Sequence, residues 1–323
     1  MAYRAGMSVA PHGLHHVTAI ASDPQRNVDF YTAVLGLRLV KTTVNFDNPS
    51  TYHLYYGDEA GRPSTLLTFF PWPSVPPGRQ GTGLTTATAF GVPPTSLGWW
   101  QRRLTDRGID VDPPRDRDAG DAAEEVLTFR DPDGLVIDLV AASGDARSGW
   151  DGHAGVPGEH AVRGLHAVAL TERLLEPTAG LLTGLLGMDL SGESGTGARF
   201  TTAGDTPAGT VDVVADPARN RGLQAGGTVH HVAFRAPDGE TQARWRTELV
   251  EAGLAVTEIL DRRYFTSIYF REPGGVLFEI ATDQPGFAVD EPLLELGRTL
   301  KLPPWLEPDR ETIEAALPPL CRP

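Results

Sequence analysis

The 323-residue sequence repeats one pattern of predicted secondary structure four times. The first copy starts at Gly13, where a strand-like LHHVTAI leads through the polar turn SDPQRN to a helix-like VDFYTAVLGL. Val28, Tyr31 and Leu35 recur there at helical spacing, and Gly36 is placed to end the helix. Three strand-like stretches follow, LVKTTVNF, TYHLYYG and TLLTFF. This repeated β-α-β-β-β order constrains the fold more than any other feature of the chain.

The same order returns three more times, in residues 84–142, 164–216 and 228–283. The second and fourth copies align most readily, because both contain a strand–turn–strand hairpin, FRDPDGLVIDL and FREPGGVLFEI. Between the second and third copies the chain is rich in glycine and polar residues, as linkers are. We therefore expect an N-terminal domain of two units over residues 1–145, a linker over 146–163, and a C-terminal domain of two units and a tail over 164–323.

A single β-α-β-β-β unit cannot close a hydrophobic core by itself. We therefore expect the units to pair into curved, barrel-like sheets with the helices outside, each pair enclosing a cup. The predicted fold class is α+β, with four units in two domains. A hydrophobic content of 40 % and a charged content of 22 % suit a globular chain with such a core.

Charge and cysteine content limit the classes of partner. Asp and Glu outnumber Lys and Arg by 42 to 28, and no basic cluster occurs, so we expect no binding to nucleic acid or to an anionic membrane. The single cysteine, Cys321, rules out intramolecular disulfides. The first twelve residues lack the apolar core of a signal peptide, and no run of 18 apolar residues occurs. We predict a cytoplasmic protein, with a homo-oligomer as one option for its assembly.

Two adjacent histidine pairs occur in the first strands of units one and four, within GLHHVT and GTVHHVAF. Because a strand turns successive side chains to opposite faces, one histidine of each pair should face inward, where an unpartnered imidazole is costly. The shared His-His-Val motif suggests a site built symmetrically from these two units. The last strand of unit four, GVLFEIATD, adds Glu279 among apolar neighbours. Its partner should be a cation or an arginine, for which Arg262, Arg263 and Arg271 are available.

The paired units resemble those of the vicinal oxygen chelate superfamily, which includes glyoxalases, antibiotic-resistance proteins and extradiol dioxygenases. In that superfamily the cup between paired units holds a divalent metal, so the resemblance implies a metal site here. His231 and Glu279 would supply two ligands from unit four. For the third ligand, His16 of unit one competes with His166 of unit three, because common two-domain ring-cleaving dioxygenases build their site from units three and four.

The ligand set also bears on the reaction. Two histidines and one glutamate leave part of the coordination sphere open, as a nonheme Fe(II) enzyme requires if an organic substrate and O₂ are to bind one metal. A glyoxalase-type site usually takes a further ligand from the last strand of the partner unit. In unit one that strand, PSTLLTFFPW, offers no carboxylate, histidine or glutamine, which favours an oxygenase.

Longer blocks resemble one group of that superfamily, the hydroquinone-type ring-cleaving dioxygenases, of which 2,6-dichlorohydroquinone 1,2-dioxygenase is a characterised member. The matching blocks cover nearly the whole chain and include VLGLRLVKTTVNFDNPSTYHLYYG, GTVHHVAF and DRRYFTSIYFREPGGVLFEIATDQPGF followed by LKLPPWLEP. The resemblance implies Fe(II), or else Mn(II), held by His16, His231 and Glu279. It also implies a set of catalytic residues around the metal, namely His15, Thr18, His230, Arg262 and Tyr269.

The resemblance further implies a small aromatic substrate and O₂ as reactants. Tyr269 or a histidine would donate a proton, and Arg262 would hold an anionic oxygen or a deprotonated tyrosine. Without the resemblance, Tyr269 would be interpreted as a packing aromatic and Arg262 as a surface ion-pair partner. Two other functions stay open: a metal-dependent glyoxalase or thiol transferase, and a non-catalytic resistance protein of the same fold that sequesters a quinone or drug.

Overall fold

The computed structural model describes residues 10–118, 123–202 and 206–323. Most of the N-terminal stretch considered above for a signal peptide lies outside these residues. Sixteen described strands form two curved sheets of eight strands each. None of the helices in the described part of the chain combines the length and hydrophobicity that a membrane crossing requires.

Units one and four form the first sheet. Unit one consists of β1 (Leu14–Ala21), helix α1 (Pro24–Asp29) continued by a π-helical turn (Phe30–Val34), β2 (Arg38–Asn45), β3 (Asn48–Gly57) and β4 (Leu66–Pro71). The strands and helix of unit four are β13 (Val229–Ala236), α4 (Gly239–Glu251), β14 (Leu260–Asp261), β15 (Thr266–Arg271) and β16 (Leu277–Thr282). The strand order across this sheet is β14-β15-β16-β13-β1-β4-β3-β2.

Units two and three form the second sheet. Unit two consists of β5 (Leu84–Val92), α2 (Leu97–Asp106), β6 (Arg115–Asp118), β7 (Ala123–Arg130) and β8 (Val136–Ala141). Unit three consists of β9 (Gly164–Glu172), α3 (Glu176–Gly184), β10 (Asp189–Ser194), β11 (Gly197–Thr201) and β12 (Thr210–Ala215). The strand order is β10-β11-β12-β9-β5-β8-β7-β6.

All four units have the predicted β-α-β-β-β order, and the predicted fold class is confirmed. The pairing of units one and four that the shared His-His-Val motif suggests is also present, through antiparallel β1 and β13. Each sheet therefore takes one unit from residues 1–145 and one from residues 164–323. The division of the chain into two domains around a linker at residues 146–163 stays a prediction.

The central strand pair of each sheet is irregular at two positions. Between β1 and β13 the register shifts at His15 and again at His230, so that neither residue has a partner across the strands. The second sheet repeats both shifts between β5 and β9, at Thr86 and His166. Such β-bulges re-aim side chains relative to a regular strand. The simple alternation expected for the histidine pairs is therefore broken at the first histidine of each pair.

After β16 the chain crosses back over unit one and is held there by a buried lysine. Lys41 of β2 is fully buried, and its Nζ donates to Asp290 Oδ1 at 2.7 Å and to the carbonyl oxygen of Phe287 at 3.2 Å. The same ammonium contacts the carboxylate of Glu291 and lies 4.9 Å from the ring centroid of Tyr264. A buried cation needs partners of this kind. Lys41 thus fixes the C-terminal segment onto the first sheet.

We expect Lys41→Met to lower the free energy of unfolding by about 3–5 kcal/mol, because it leaves the buried Glu291 carboxylate without a cation. Denaturant-induced unfolding measures the change. Lys301, the other lysine of the chain, is partly exposed, unlike Lys41. Lys301→Met should therefore change the free energy by no more than about 0.5 kcal/mol. Equal losses in the two variants would contradict this role of Lys41.

Candidate metal centre

Three buried side chains of the first sheet converge: His16 in β1, His231 in β13 and Glu279 in β16. His16 Nε2 lies 3.3 Å from His231 Nε2. Glu279 Oε2 lies 3.3 Å from His16 Nε2 and 2.9 Å from His231 Nε2. Within residues 10–118, 123–202 and 206–323, this is the one group of three histidine, cysteine or acidic residues with ligand atoms so close together.

The donor set of this cluster fits a divalent cation. Metal bonds of about 2.0–2.2 Å at right angles would separate neighbouring donor atoms by about 3 Å, close to the distances observed. Glu279 Oε2 is buried and accepts no hydrogen bond from the described residues. Such an oxygen is costly unless a positive charge faces it. Two imidazole nitrogens and one carboxylate oxygen around one point could therefore hold a divalent metal together.

The protonation states of the cluster favour metal binding. Burial alone would raise the pKa of Glu279, but the imidazoles of His16 and His231 hold this pKa well below its usual range. Burial lowers the pKa of His231. A carboxylate and a neutral imidazole are the forms that bind a metal.

The first histidine of each pair contacts the second. His15 Nδ1 lies 2.8 Å from His16 Nδ1, and His230 Nδ1 lies 2.8 Å from His231 Nδ1. Burial lowers the pKa of His15, and it lowers the pKa of His230 to about 3. A neutral outer imidazole can accept the Nδ1 proton of the inner one, which leaves the inner Nε2 free to bind a metal. The two β-bulges make these contacts between adjacent residues possible.

Glu279 is oriented by a residue that the sequence analysis missed. The hydroxyl of Ser267 in β15 donates to Glu279 Oε1, so that Oε2 is the oxygen directed at the histidines. Ser267 stands two residues before Tyr269, which pairs with Glu279 across β15 and β16. Alternation within TSIYF already indicates that Ser267 and Tyr269 share a face, and that signal could have identified Ser267.

Tyr269 and Arg262 lie beside the cluster and contact each other. The Tyr269 ring meets the His231 ring edge-on, with 5.7 Å between centroids. Arg262 Nε donates to Tyr269 Oη at 3.3 Å, while Nη2 binds Asp47 Oδ2 at 3.0 Å. Burial, reinforced by Glu279, raises the pKa of Tyr269 despite the nearby guanidinium. This direction favours the protonated phenol, whose oxygen accepts the hydrogen bond from Arg262.

A cavity of about 410 Å³ opens onto His16, His231 and Tyr269. Its apolar wall consists of Phe46, Phe70, Trp72, Leu260, Phe265 and Leu277. Polar groups at its margin include Asn45, His53, His230 and Arg262. Because an engineered cavity of about 150 Å³ binds benzene, this one is large enough for a single substituted aromatic ring.

Thr18 is close to the cluster but does not line the cavity. Its Oγ1 lies 2.7 Å from Thr68 Oγ1, and both residues are fully buried. Thr68 Oγ1 lies 2.9 Å from His53 Nε2, and the Tyr55 hydroxyl lies 2.8 Å from His53 Nδ1. The predicted residue Thr18 therefore reaches the cavity only through Thr68 and His53, two side chains absent from the predicted set.

The chain matches the family model for the glyoxalase, bleomycin resistance protein and dioxygenase superfamily over residues 13–139 and 164–280. The chain belongs to this superfamily. It is 44% identical over 308 residues to a Bacillus subtilis protein provisionally named ring-cleaving dioxygenase MhqE, covering 95% of this chain and 99% of that protein. It is 35% identical to the chlorohydroquinone/hydroquinone 1,2-dioxygenase of Sphingobium indicum, over 91% of this chain and 92% of that one.

The chain also matches the crystal structure of a Bacillus subtilis protein that is provisionally named a dioxygenase. The TM-score is 0.90 and the sequence identity is 39%. The match covers 97% of this chain and 99% of that chain. The predicted resemblance to the vicinal oxygen chelate superfamily and to its hydroquinone-type dioxygenases is thus confirmed. The relatives also confirm the prediction that the chain is an enzyme of the ring-cleaving dioxygenase type.

Among the described residues, the second sheet contains no corresponding group of three potential metal ligands. His166 Nε2 lies 2.7 Å from Glu124 Oε1 and is not brought to Glu279, so the structure does not support the alternative third ligand. Asp138, the unit-two counterpart of Glu279, binds Arg117 at 3.0 Å. Here an arginine provides the positive charge that a buried carboxylate requires.

We expect Ser267→Ala to weaken Mn(II) binding by about 10–100-fold, because second-layer hydrogen bonds of this kind orient metal ligands. Titration of Mn(II) followed by electron paramagnetic resonance measures the dissociation constant. Thr128→Ala is the matched control: its hydroxyl donates to Asp138 at 2.6 Å in the second sheet. That variant should bind Mn(II) as the unmodified protein does. An equal loss in both variants would show that Ser267 has no specific role at Glu279.

Proposed function

We propose that the chain is an Fe(II)-dependent ring-cleaving dioxygenase that inserts O₂ into an aromatic diol of the hydroquinone type, with Mn(II) as the alternative cation. The observation that carries the proposal is the buried His16–His231–Glu279 cluster at the wall of an aromatic cavity. The relative named chlorohydroquinone/hydroquinone 1,2-dioxygenase supports the choice of substrate class.

Iron bound by the three side chains would supply Lewis acidity toward a phenolate oxygen and electrons for the reaction of O₂ with the ring. The chain itself supplies the surroundings. The apolar walls hold the aromatic ring and exclude water, which strengthens every charge interaction in the cavity. The polar margin, with Arg262 and Asn45, is available to a hydroxyl or oxygen anion of the substrate.

Two residues of the cavity can move protons. His230 lines the cavity, so its imidazole is placed to exchange a proton with a diol hydroxyl bound there. Tyr269 presents a phenol hydroxyl beside His231, so it can donate a proton to an oxygen of the substrate as the ring opens. His15 and Arg262 then act through their contacts, His15 by orienting His16 and Arg262 by orienting Tyr269.

Anaerobic reconstitution tests the proposed function. The Fe(II)-loaded protein should bind about one iron per chain and consume O₂ with a hydroquinone, tested alongside catechols. His16→Ala should lose both iron and O₂ consumption, whereas the control His166→Ala, which removes an imidazole from the second sheet, should keep both. Iron binding without O₂ consumption on any diol would favour a glyoxalase, and ligand binding without metal would favour a resistance protein. A cytoplasmic location and a homo-oligomer stay predictions.

Tyr269→Phe should lower the rate of O₂ consumption by about 10²–10⁴-fold while iron content stays constant, because a general acid is lost and no metal ligand is touched. Tyr52→Phe is the control, since the Tyr52 hydroxyl donates to the Pro318 carbonyl at 2.9 Å, outside the cavity. That variant should keep its rate. An unchanged rate in Tyr269→Phe would show that the Tyr269 hydroxyl takes no part in the reaction and that the ring only packs against its neighbours.

A further inference from the structure

An ion pair between units one and four lies at the edge of the cavity. Arg262, directly after β14 of unit four, donates from Nη2 to Asp47 Oδ2 at 3.0 Å. Asp47 belongs to the two-residue turn between β2 and β3 of unit one. Both side chains line the cavity, and 73 % of the Asp47 side chain is exposed, against 17 % of Arg262. The ion pair therefore joins the two units at the solvent-facing side of the cavity.

Both partners of this ion pair are held in place by further hydrogen bonds. The backbone N–H of Asp47 donates to Asn45 Oδ1 at 2.9 Å, which fixes the turn. The backbone N–H of Arg262 donates to the carbonyl oxygen of Phe265 at 2.9 Å, and its Nε donates to Tyr269 Oη at 3.3 Å. The guanidinium thus divides Nε and Nη2 between Tyr269 and Asp47.

Nε and Nη2 are also the nitrogens with which other arginines of the chain bind one carboxylate at two points. Arg235 donates from Nε and Nη2 to the two oxygens of Asp283, each at 2.7 Å. Arg310 binds Glu307 in the same way, at 2.8 and 2.7 Å. This two-point geometry is the strongest way for an arginine to bind a carboxylate. At Arg262 an incoming carboxylate would have to displace both Tyr269 and Asp47 to reach it.

The charges along the cavity wall point the same way. Apart from its histidines, Arg262 and Asp47 are the charged side chains among the described residues that line the cavity, and their charges cancel. An anionic group at this edge would be attracted by Arg262 but repelled by Asp47, and a repulsive contact of this kind is a common source of specificity. An uncharged hydroxyl meets no such repulsion and can still accept a hydrogen bond from the guanidinium.

We propose that Asp47 is a specificity-determining residue that offsets the charge of Arg262 and restricts the cavity to aromatic diols without an anionic substituent. Asp47 acts through Arg262 and is a positioning residue, not a catalytic one. The restriction concerns substituents at the solvent-facing edge, and not the oxygen that faces the metal cluster. The inference rests on the proposed function for the diol substrate.

Asp47→Asn tests this restriction, because asparagine can still accept the hydrogen bond from Arg262 and suits a turn. Two hydroquinones of similar size separate charge from shape: (2,5-dihydroxyphenyl)acetate and the uncharged (2,5-dihydroxyphenyl)acetamide. In the Fe(II)-loaded variant, kcat/KM for the acetate relative to the acetamide should rise about tenfold, mainly through KM. The kcat for hydroquinone should change by less than about threefold. Because salt screens exposed charges, the tenfold rise should shrink as ionic strength increases.

Two further variants serve as controls. Glu59→Gln removes another exposed carboxylate, which binds Arg62 Nη2 at 3.0 Å at the opposite end of the ten-residue β3, about 30 Å from Asp47. It should keep the ratio of the unmodified protein, and so should Asp47→Glu, which retains the charge. An unchanged ratio in Asp47→Asn, or an equal rise in Asp47→Asn and Asp47→Glu, would overturn the proposal.

Binding measurements separate failure of this inference from failure of the proposed function. Anaerobic calorimetric titration of the Fe(II)-loaded proteins should show the same change in the ratio of the two dissociation constants. That change, with no O₂ consumption on any diol, would support the restriction and refute the dioxygenase. O₂ consumption with hydroquinone, but no change in either ratio in Asp47→Asn, would refute the restriction and leave the dioxygenase supported.

Discussion

The candidate site depends on the antiparallel pairing of β1 with β13 and on the two bulges within it. In a regular strand the neighbours His15 and His16 would face opposite ways. The register shifts at His15 and His230 instead bring each outer imidazole into contact with an inner one. A single strand pair therefore supplies two of the three converging donors and the groups that orient them. The third, Glu279, comes from the adjoining parallel strand β16.

Because units one and four repeat the same structure, their histidines are related by symmetry, whereas their last strands carry different side chains. Both units offer the same places for an inner imidazole, an outer imidazole and a residue on the last strand. In unit four, Glu279 pairs with the residue two positions after His231 and accepts a hydrogen bond from Ser267. In unit one, Thr68 pairs with the residue two positions after His16 and contacts His53. The three donors thus come from both units, and an aromatic cavity lies beside them.

Local sequence patterns predicted the four units, because alternation, helical spacing and turn residues are properties of short segments. These local patterns do not show which units share a sheet. The linker suggested that units adjacent in the sequence pair with each other, whereas the repeated His-His-Val motif pointed to units one and four. The bulge at His15 was not predictable, since a register shift depends on the partner strand. Alternation within the strand could have identified Ser267. The sequence allowed His53 to be either a cavity residue or an exposed strand residue, and only its contact with Thr68 in the folded sheet distinguishes the two. The family resemblance supplied Arg262 and Tyr269, whose roles composition could not have shown.

In the second sheet, arginine side chains supply the positive charge that the carboxylates at the matching positions require. Its buried Asp138 binds Arg117, and Asp212 at the matching place on β12 binds Arg199 at 2.7 Å. Arginine cannot dissociate from the chain, so these two carboxylates need no dissolved ion to balance their charge. The first sheet, if its charge comes from a bound cation, gains stability in proportion to the logarithm of free metal concentration, about 2.7 kcal/mol at one hundred times the dissociation constant. Metal scarcity would therefore destabilise this enzyme through its first sheet.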